Sequence, residues 1–231
     1  MEIQIPSSQL GMRSSRQSRE VHQLSLSYSF RHIRPEEGDQ IARIEQVCFS
    51  PETAISPEVM KKRAAEIPDM FLAAVVNSGK ADPGAAEASC VKANPGAAEA
   101  GCVKANPGIA EAGCVKSAPG AEKIAGYITA LATDEETFRD AFFESPSLHD
   151  PDGSNVMLLG LEVLPEYRHQ GLAGELLNRS IRKAKEEGRK KLVLTCEKDK
   201  IAMYQKFGFQ LCGISRSRLG GVTWYEMDYR L

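Results

Sequence analysis

One stretch, residues 156–184 with the sequence VMLLGLEVLPEYRHQGLAGELLNRSIRKA, constrains the fold more than any other. It opens with an apolar run typical of a buried strand, turns at Arg168, His169, Gln170 and Gly171, and continues with the apolar spacing of a helix. A helix N-terminus that follows a strand exposes backbone N–H groups, which can hold the phosphates of a nucleotide or of coenzyme A. The stretch therefore predicts a mixed α/β fold with a site for a phosphate-bearing cofactor. The alternative is a plain turn whose N–H groups bind water.

The length and composition favour one soluble domain with flexible additions. The chain has 231 residues, and a hydrophobic fraction of 42% is enough for a substantial core. The net charge of -2 provides no basic surface for nucleic acid, and no apolar run is long enough to cross a bilayer. We therefore expect a cytoplasmic protein that binds neither nucleic acid nor membrane.

The cysteines and the first residues carry little functional signal. No two of the six cysteines form a C-x-x-C pair, so we expect reduced thiols and no metal site. Residues 1–25 are rich in serine and arginine and lack the apolar segment of a secretory signal, which predicts a disordered tail. An organelle-targeting segment, or phosphorylation at Ser14, Ser15 or Ser18, is the alternative for this tail.

A repeat interrupts the chain after the strand predicted at residues 71–76. The units KADPGAAEASCV, KANPGAAEAGCV and KANPGIAEAGCV follow one another with a period of twelve residues, and a partial copy follows them. A Pro-Gly pair in each unit breaks helices, and Ala, Glu and Gly offer little apolar surface to offset the entropy of ordering. We predict a low-complexity insertion at about residues 78–121. A stacked helical or β-solenoid array is the rival interpretation.

Hydrophobic periodicity predicts the remaining elements in chain order. Alternation indicates strands, helical spacing indicates helices, and the Ser56-Pro57 pair is typical of a helix start. Gly188 is expected to end the helix of the opening stretch. The predicted strands cover residues 24–32, 71–76, 122–133, 191–196, 209–213 and 222–231, and the predicted helices begin near residues 35, 57 and 201.

The segment RHQGLA, residues 168–173, fits the R-x-x-G-x-A motif and resembles the acetyl-CoA signature of the GNAT acyltransferases. Further segments resemble the serotonin (arylalkylamine) N-acetyltransferase branch of that family, in the same order and with similar spacing. These segments are LHDPDG, EVLPEYRHQGLAGELL, LVLTCEKDKIAMYQKFGFQ and VTWYEMDYRL. The resemblance covers residues 30–231 apart from the repeats. It implies one GNAT domain over residues 26–231.

The resemblance implies a fold and a cofactor site. The fold is a central mixed sheet, flanked by helices, whose fourth and fifth strands splay apart. Acetyl-CoA is the implied cosubstrate, with its pantetheine along the backbone of Leu161, Glu162 and Val163. The residues implied for the pyrophosphate are Arg168, His169, Gln170, Gly171, Leu172, Ala173 and Gly174.

The resemblance also implies a general acid but leaves the base open. Tyr204 matches the tyrosine that protonates the departing thiolate, although a tyrosine in a core helix is the alternative. Met157 and Leu159 stand where vertebrate relatives carry two histidines that help to remove the amine proton. His149, in the LHDPDG loop, is either the base or a loop-forming residue. Alternation along the strand predicts that Glu162 points away from the face of Met157 and Leu159, so ordered water and backbone carbonyls remain a further route.

The implied acceptor is a small-molecule arylalkylamine, with Phe49, Pro57 and Trp224 forming an aromatic slot beside Met157 and Leu159. For Trp224, a place in the core is an equal alternative. A polyamine or protein N-acetyltransferase and a non-catalytic acyl-CoA-binding module are the rival functions. The sequence does not predict the oligomeric state.

Overall fold

The computed structural model describes residues 26–77 and 122–231, which form one mixed sheet flanked by helices. The predicted tail and repeat insertion lie outside the described residues. In chain order the strands are β1 (Ser27–His32), β2 (Phe71–Asn77), β3 (Ile124–Thr133), β4 (Asn155–Val163), β5 (Lys191–Cys196), β6 (Gln210–Ile214) and β7 (Tyr225–Arg230). The helices are α1 (Gly38–Cys48), α2 (Pro57–Glu66), α3 (Ala141–Glu144), α4 (Leu172–Glu186) and α5 (Ile201–Gln205). The predicted order of elements in these ranges is confirmed.

The helix ends follow the local chemistry that the sequence indicates. The Ser56 hydroxyl accepts a hydrogen bond from the Val59 N–H, which caps the start of α2 with Pro57 as its first residue. At the end of α4, Gly188 has a φ of 69°, and the Arg189 N–H donates to the Ala184 carbonyl. This bond and the left-handed glycine define a Schellman motif, as predicted for Gly188.

Within residues 26–77 and 122–231, the seven strands have the order β1-β2-β3-β4-β5-β7-β6, and β4 pairs with β5 in parallel. Their pairing runs from Asn155 opposite Lys191 to Leu158 opposite Leu194 and then stops, although β4 continues to Val163. The two strands therefore separate beyond Leu158, which leaves an opening in the middle of the sheet. The predicted splay of the fourth and fifth strands is confirmed.

The two faces of the sheet carry different helices. Val156 and Leu158 of β4 line a groove with side chains of α4, whereas Met157 between them packs with Phe138 and Phe142. The core residues of α1 and α2 lie with those of the sheet in one large apolar cluster. In the described ranges, no helix combines the length and hydropathy that a bilayer span requires.

An irregularity in β4 lies at the splay point. Thr129 of β3 is opposite Gly160, whereas the next residue, Ala130, is opposite Leu158. Leu159 is therefore an extra residue in β4, a β-bulge that shifts the alternation of side chains from there on. This shift determines which residues of β4 share the face of Met157.

Candidate active site

A cavity of about 270 Å³ occupies the opening between β4 and β5. It is bounded by the separated part of β4, the end of β5, the start of α4, α5, and the loop after α1. The site residues expected from the sequence that line it are Phe49, Leu159, Leu161, Glu162, Val163, Arg168, Ala173, Tyr204 and Trp224. Side chains from four separate parts of the sequence thus meet in one place.

The turn from β4 into α4 provides the backbone half of the site. Gly171 is the N-cap of α4 with a φ of 82°, and its lack of a side chain leaves the first N–H groups of the helix uncapped. His169 has a φ of 62°, a left-handed conformation uncommon for residues other than glycine. Tyr28 of β1 holds this turn by donating from its hydroxyl to Gln170 Oε1 at 2.5 Å. The turn therefore has the free backbone donors and the positive end of a helix dipole that suit a phosphate.

Arg168 connects this turn to the end of β4. Its Nε donates to the Val163 carbonyl oxygen at 2.9 Å, and the Cys48 thiol lies 3.6 Å from the same oxygen. Burial raises the pKa of Cys48 to about 12, so that cysteine is a neutral thiol at the cavity wall. Arg168 thus contributes its positive charge beside the cavity while it fixes the geometry of the strand end.

Tyr204 of α5 is half-buried and faces the cavity. Its ring packs edge-on against Phe209, with the ring centroids 5.8 Å apart. Burial, together with the neighbouring Cys196 and Glu162, raises the pKa of the Tyr204 hydroxyl well above its usual value. A hydroxyl that keeps its proton at neutral pH can donate it to a leaving group, which is the property a general acid requires.

Glu162 places a carboxyl group in the same cavity. The residue is 2% exposed, and within the described ranges neither side-chain oxygen has a hydrogen-bond partner. Burial and the nearby Glu45 raise the pKa of Glu162 well above its usual value, while Arg63 opposes that shift. The carboxyl lies against Gly160, where any β-carbon would clash with it. A buried, unpaired carboxyl that faces a cavity is a candidate acid or base.

The expectation that Glu162 points away from the face of Met157 is wrong. Glu162 interacts electrostatically with Arg63 of α2, and the Arg63 guanidinium donates to the Phe142 carbonyl oxygen at 3.1 Å. Phe142 packs with Met157, so both strand residues lie on the same face of the sheet. The bulge at Leu159 supplies the extra residue that brings them to the same face.

Glu45 of α1 and Arg63 complete a buried charged cluster. Glu45 is 3% exposed and accepts hydrogen bonds at 2.9 Å from the Ile55 N–H and from the Tyr127 hydroxyl. Burial raises the pKa of Glu45, and these two hydrogen bonds and Arg63 counter that effect. Arg63 is 1% exposed, and burial lowers the pKa of its guanidinium. Glu45 also ties α1 to the loop that carries the wall residue Ile55.

The end of the cavity next to α1 is apolar and aromatic. Phe49 and Trp224 line it with Ile55, Phe143 and Leu219. Trp224 is 8% exposed, and its indole Nε1 donates to the Leu219 carbonyl oxygen at 2.8 Å. Trp224 is therefore buried and also forms part of the cavity wall, and its place in an aromatic slot for the substrate stays a prediction.

The cavity lining does not include His169, Gln170, Gly171, Leu172 and Gly174 of the turn and the start of α4, or three residues expected as the base or as substrate contacts. Met157 is fully buried in the apolar cluster around Phe138 and is not at the cavity wall, so its role as a substrate contact stays a prediction. His149 Nδ1 accepts a hydrogen bond from the Ala132 N–H at 3.1 Å, next to the paired part of the sheet, so its position favours the loop-forming role over the base. Pro57 is the first residue of α2, two positions beyond the wall residue Ile55.

Sequence reasoning missed Glu45 and Arg63, and it gave Glu162 only a backbone role. A signal was present for Glu45, because Ile41, Glu45 and Cys48 have the i, i+4, i+7 spacing of one helical face. A carboxylate on the apolar face of a helix requires a partner or a function. For Glu162 the signal was a single charge within the otherwise apolar segment VMLLGLEV.

The sheet order, the bulge and the splayed strands define the GNAT acyltransferase fold. Residues 103–209 match the model of the "Acetyltransferase (GNAT) family". The loading GNATL domain of CurA from Lyngbya majuscula is 16% identical with a TM-score of 0.60, and the alignment covers 88% of this chain and 98% of that domain. Naa50 from Arabidopsis thaliana, solved with the bisubstrate analogue CoA-Ac-MVNAL, is 15% identical with a TM-score of 0.55. That alignment covers 89% of this chain and 99% of Naa50. At sequence identities this low, the two solved structures show only that this chain shares their fold.

One curated relative matches more closely in sequence over a shorter stretch. Serotonin N-acetyltransferase from Mesocricetus auratus is 34% identical over 89 residues, which is 38% of this chain and 43% of that protein. The match thus spans less than half the length of the curated relative. It agrees with the branch that the sequence motifs resemble.

Proposed function

We propose that this protein is an acetyl-CoA-dependent N-acetyltransferase that acts on a primary arylalkylamine. The observation that carries the proposal is the presence of Glu162 and Tyr204 in one cavity, at the point where β4 and β5 separate. One group can accept a proton from an amine, and the other can donate a proton to a leaving group. The match to the GNAT family model and the sequence match to a serotonin N-acetyltransferase support it.

The cosubstrate fits the two halves of the cleft. The turn around Gly171 and the N-terminus of α4 would hold its pyrophosphate through backbone N–H groups. The backbone of Leu161, Glu162 and Val163 would run beside its pantetheine, since this part of β4 is not paired with β5. When bound, the cosubstrate supplies a thioester as the activated acetyl group.

The side chains then divide the proton transfers between them. Glu162, as the carboxylate, accepts a proton from the substrate ammonium group and so generates a neutral nucleophilic nitrogen. Tyr204, on the side of β5, donates its proton to the thiolate that departs as the new C–N bond forms. The raised pKa of Glu162 suits its task, because a more basic carboxylate is a better proton acceptor. The Tyr204 phenol is un-ionised at neutral pH and therefore has a proton to donate. Glu162 thus replaces the strand histidines that Met157 and Leu159 cannot provide.

The apolar wall favours an aromatic substituent on the amine. A ring between Phe49 and Trp224 would bury its faces against these side chains and Leu219, while its amine extends towards Glu162. Aromatic pairs of this kind add about 0.5–1.5 kcal/mol beyond the burial of area. A polyamine or a peptide N-terminus on the same fold is the second candidate, which the buried carboxyls Glu45 and Glu162 also suit because both substrates are cations.

A panel of amines tests the assignment. Thiol release from acetyl-CoA is measured with tryptamine, phenethylamine, spermidine and a peptide with a free N-terminus. We expect the two arylalkylamines to give the highest kcat/KM. A preference for spermidine or the peptide would instead support the second candidate. CoA-dependent thermal stabilisation without thiol release from any amine would identify a non-catalytic acyl-CoA-binding module.

The variant Tyr204→Phe tests the general acid. We expect kcat to fall roughly 100-fold or more, because general acid catalysis typically contributes this much, while the Kd for acetyl-CoA stays close to the wild-type value. Tyr229→Phe is a matched control, since Tyr229 packs against the same Phe209 ring but does not line the cavity. Equal kcat values for wild type and Tyr204→Phe would remove Tyr204 from the mechanism.

A further inference from the structure

The buried cluster of Glu162, Glu45 and Arg63 contains two acids and one base. All three residues are at most 3% exposed, and they come from β4, α1 and α2. The Arg63 guanidinium is held by the carbonyl oxygens of Phe142 and Phe143 at 3.1 and 2.9 Å, so it stays in place as a fixed positive charge. With both carboxyls ionised, the cluster would carry one uncompensated negative charge away from water, which is strongly unfavourable.

The hydrogen bonds determine which carboxyl keeps the proton in the free protein. Glu45 accepts from the Ile55 N–H and the Tyr127 hydroxyl, and both bonds stabilise its carboxylate form. Neither oxygen of Glu162 has a partner in the described ranges. Ionised Glu45 therefore balances Arg63, and Glu162 is the protonated member of the pair.

Three further ionisable groups interact with Glu162 and do not change this balance: the Cys48 thiol of α1, the Tyr127 hydroxyl of β3 and the Tyr204 hydroxyl of α5. All three are neutral at pH 7, because burial raises the pKa of each. Arg168, Glu197 and Lys200 also line the cavity, but the charged side chains that shift the pKa of Glu162 are Glu45 and Arg63. The wall contributed by α4 consists of Ala173 and Leu177, which carry no charge.

We propose that a substrate ammonium group takes the place of the Glu162 proton, so that the acceptor binds as a cation and one proton leaves the protein on binding. The O–H bond of Glu162 breaks, its proton passes to the solvent, and the ammonium group lies against the new carboxylate. The cluster is neutral before and after this exchange. Glu162 is then already the carboxylate that the reaction requires. An uncharged analogue of the same shape forms no ion pair with Glu162, so it leaves the Glu162 proton in place. This inference rests on the proposed function and deepens it, because it makes Glu162 a determinant of specificity for protonated amines.

The test is calorimetry on the wild-type protein saturated with CoA, which lacks the acetyl group and permits no turnover. Tryptamine is titrated at pH 7 in two buffers with different enthalpies of ionisation, phosphate and Tris. The difference in binding heat gives the number of protons released, and we expect about one for wild type and none for Glu162→Gln. Tryptophol, the uncharged alcohol with the same indole ring, is the matched ligand, and we expect it to bind wild type without proton release. The tryptophol comparison keeps the test valid if the variant does not fold.

Proton linkage gives a second measurement. Below the pKa of Glu162 in the free protein, the Kd for tryptamine should fall as much as tenfold for each unit of rising pH, and the Kd for tryptophol should stay constant. Tryptamine binding without proton release, or with the same release in Glu162→Gln, would overturn the inference even if amines are acetylated. Proton-linked binding without thiol release from acetyl-CoA would instead refute the proposed function and leave the inference intact.

Discussion

At the scale of single residues, the most informative position is Glu162, because one inserted residue decides what its side chain can do. Period-two alternation assigns Glu162 to the opposite face from Met157, and a regular strand would have placed it there. The bulge at Leu159 reverses that assignment and brings the carboxyl into the cavity. The space for it comes from Gly160, where a side chain would clash with the carboxyl. A bulge depends on pairing with a neighbouring strand, so the sequence of β4 alone does not reveal it.

The position of His149 leads to a prediction about the pH dependence of the reaction. His149→Ala should leave the shape of the pH profile of kcat/KM for the amine unchanged, because His149 is not at the cavity. The same variant should lose about 1–3 kcal/mol of stability, since the Ala132 N–H loses the acceptor Nδ1. Rates between pH 5.5 and 9 and thermal melts measure both effects. Loss of an inflection near neutrality in His149→Ala would restore a histidine base.

At the scale of elements, the sequence predicts what is encoded locally. Apolar periodicity identifies the strands and helices of the described ranges, and the Ser56 cap and Gly188 define two helix ends correctly. The convergence of α1, α2 and β4 on one charged cluster depends on tertiary packing, so Glu45 and Arg63 were not assigned from the sequence. The resemblance to the GNAT family supplied the splay of β4 and β5, because no local pattern signals where the pairing of two strands stops.

The two ends of α4 allow a controlled test of the proposed phosphate site at the turn around Gly171. Gly171 at the start and Gly188 after the end both have left-handed φ values, and an added β-carbon would contact nothing at either position. Alanine at either position should therefore cost about 1–2 kcal/mol of stability through backbone strain alone. Only Gly171→Ala should raise the KM for acetyl-CoA, by roughly tenfold, which corresponds to about 1.4 kcal/mol.

Steady-state kinetics with varied acetyl-CoA and thermal melts of both variants distinguish binding from stability. Gly188→Ala controls for the backbone strain, because it disturbs the same helix at the end opposite the proposed phosphate site. Equal KM values for acetyl-CoA in both variants would show that the backbone at Gly171 makes no contribution to cofactor binding.

At the scale of the whole molecule, the residues just after the gap between 77 and 122 contact residues that precede it. The Val76 N–H donates to the Lys123 carbonyl oxygen at 2.8 Å, and the Gln40 side chain accepts from the Ile124 N–H at 2.7 Å. Arg31 and Arg34 both pair with Glu122 at 2.8 Å. The start of β3 is thus fixed to α1, β1 and β2 by residues outside the repeat. That the repeat is an insertion into a single domain stays a prediction.

The stability of the whole molecule should also depend on the buried acid. The pKa of Glu162 is raised in the folded protein, so the folded protein binds the Glu162 proton more tightly than the unfolded chain does. The resulting contribution to the free energy of unfolding is present at low pH and is lost as the pH rises through the folded pKa. Glu162→Gln removes this titration. The difference in Tm between Glu162→Gln and wild type should therefore become more positive between pH 5 and pH 9, whatever its value at pH 5.

Thermal melts of three proteins across this pH range measure the effect. The third is Glu144→Gln, whose exposed side chain at the end of α3 provides a matched change of charge. We expect its Tm difference from wild type to stay constant within about 1 °C, because the exchange of an exposed carboxyl for an amide changes stability by at most about 0.5 kcal/mol. A constant difference for Glu162→Gln as well would mean that Glu162 titrates alike in the folded and unfolded chain. The ammonium-for-proton exchange would then lose its basis, since it requires a carboxyl that holds its proton until a cation replaces it.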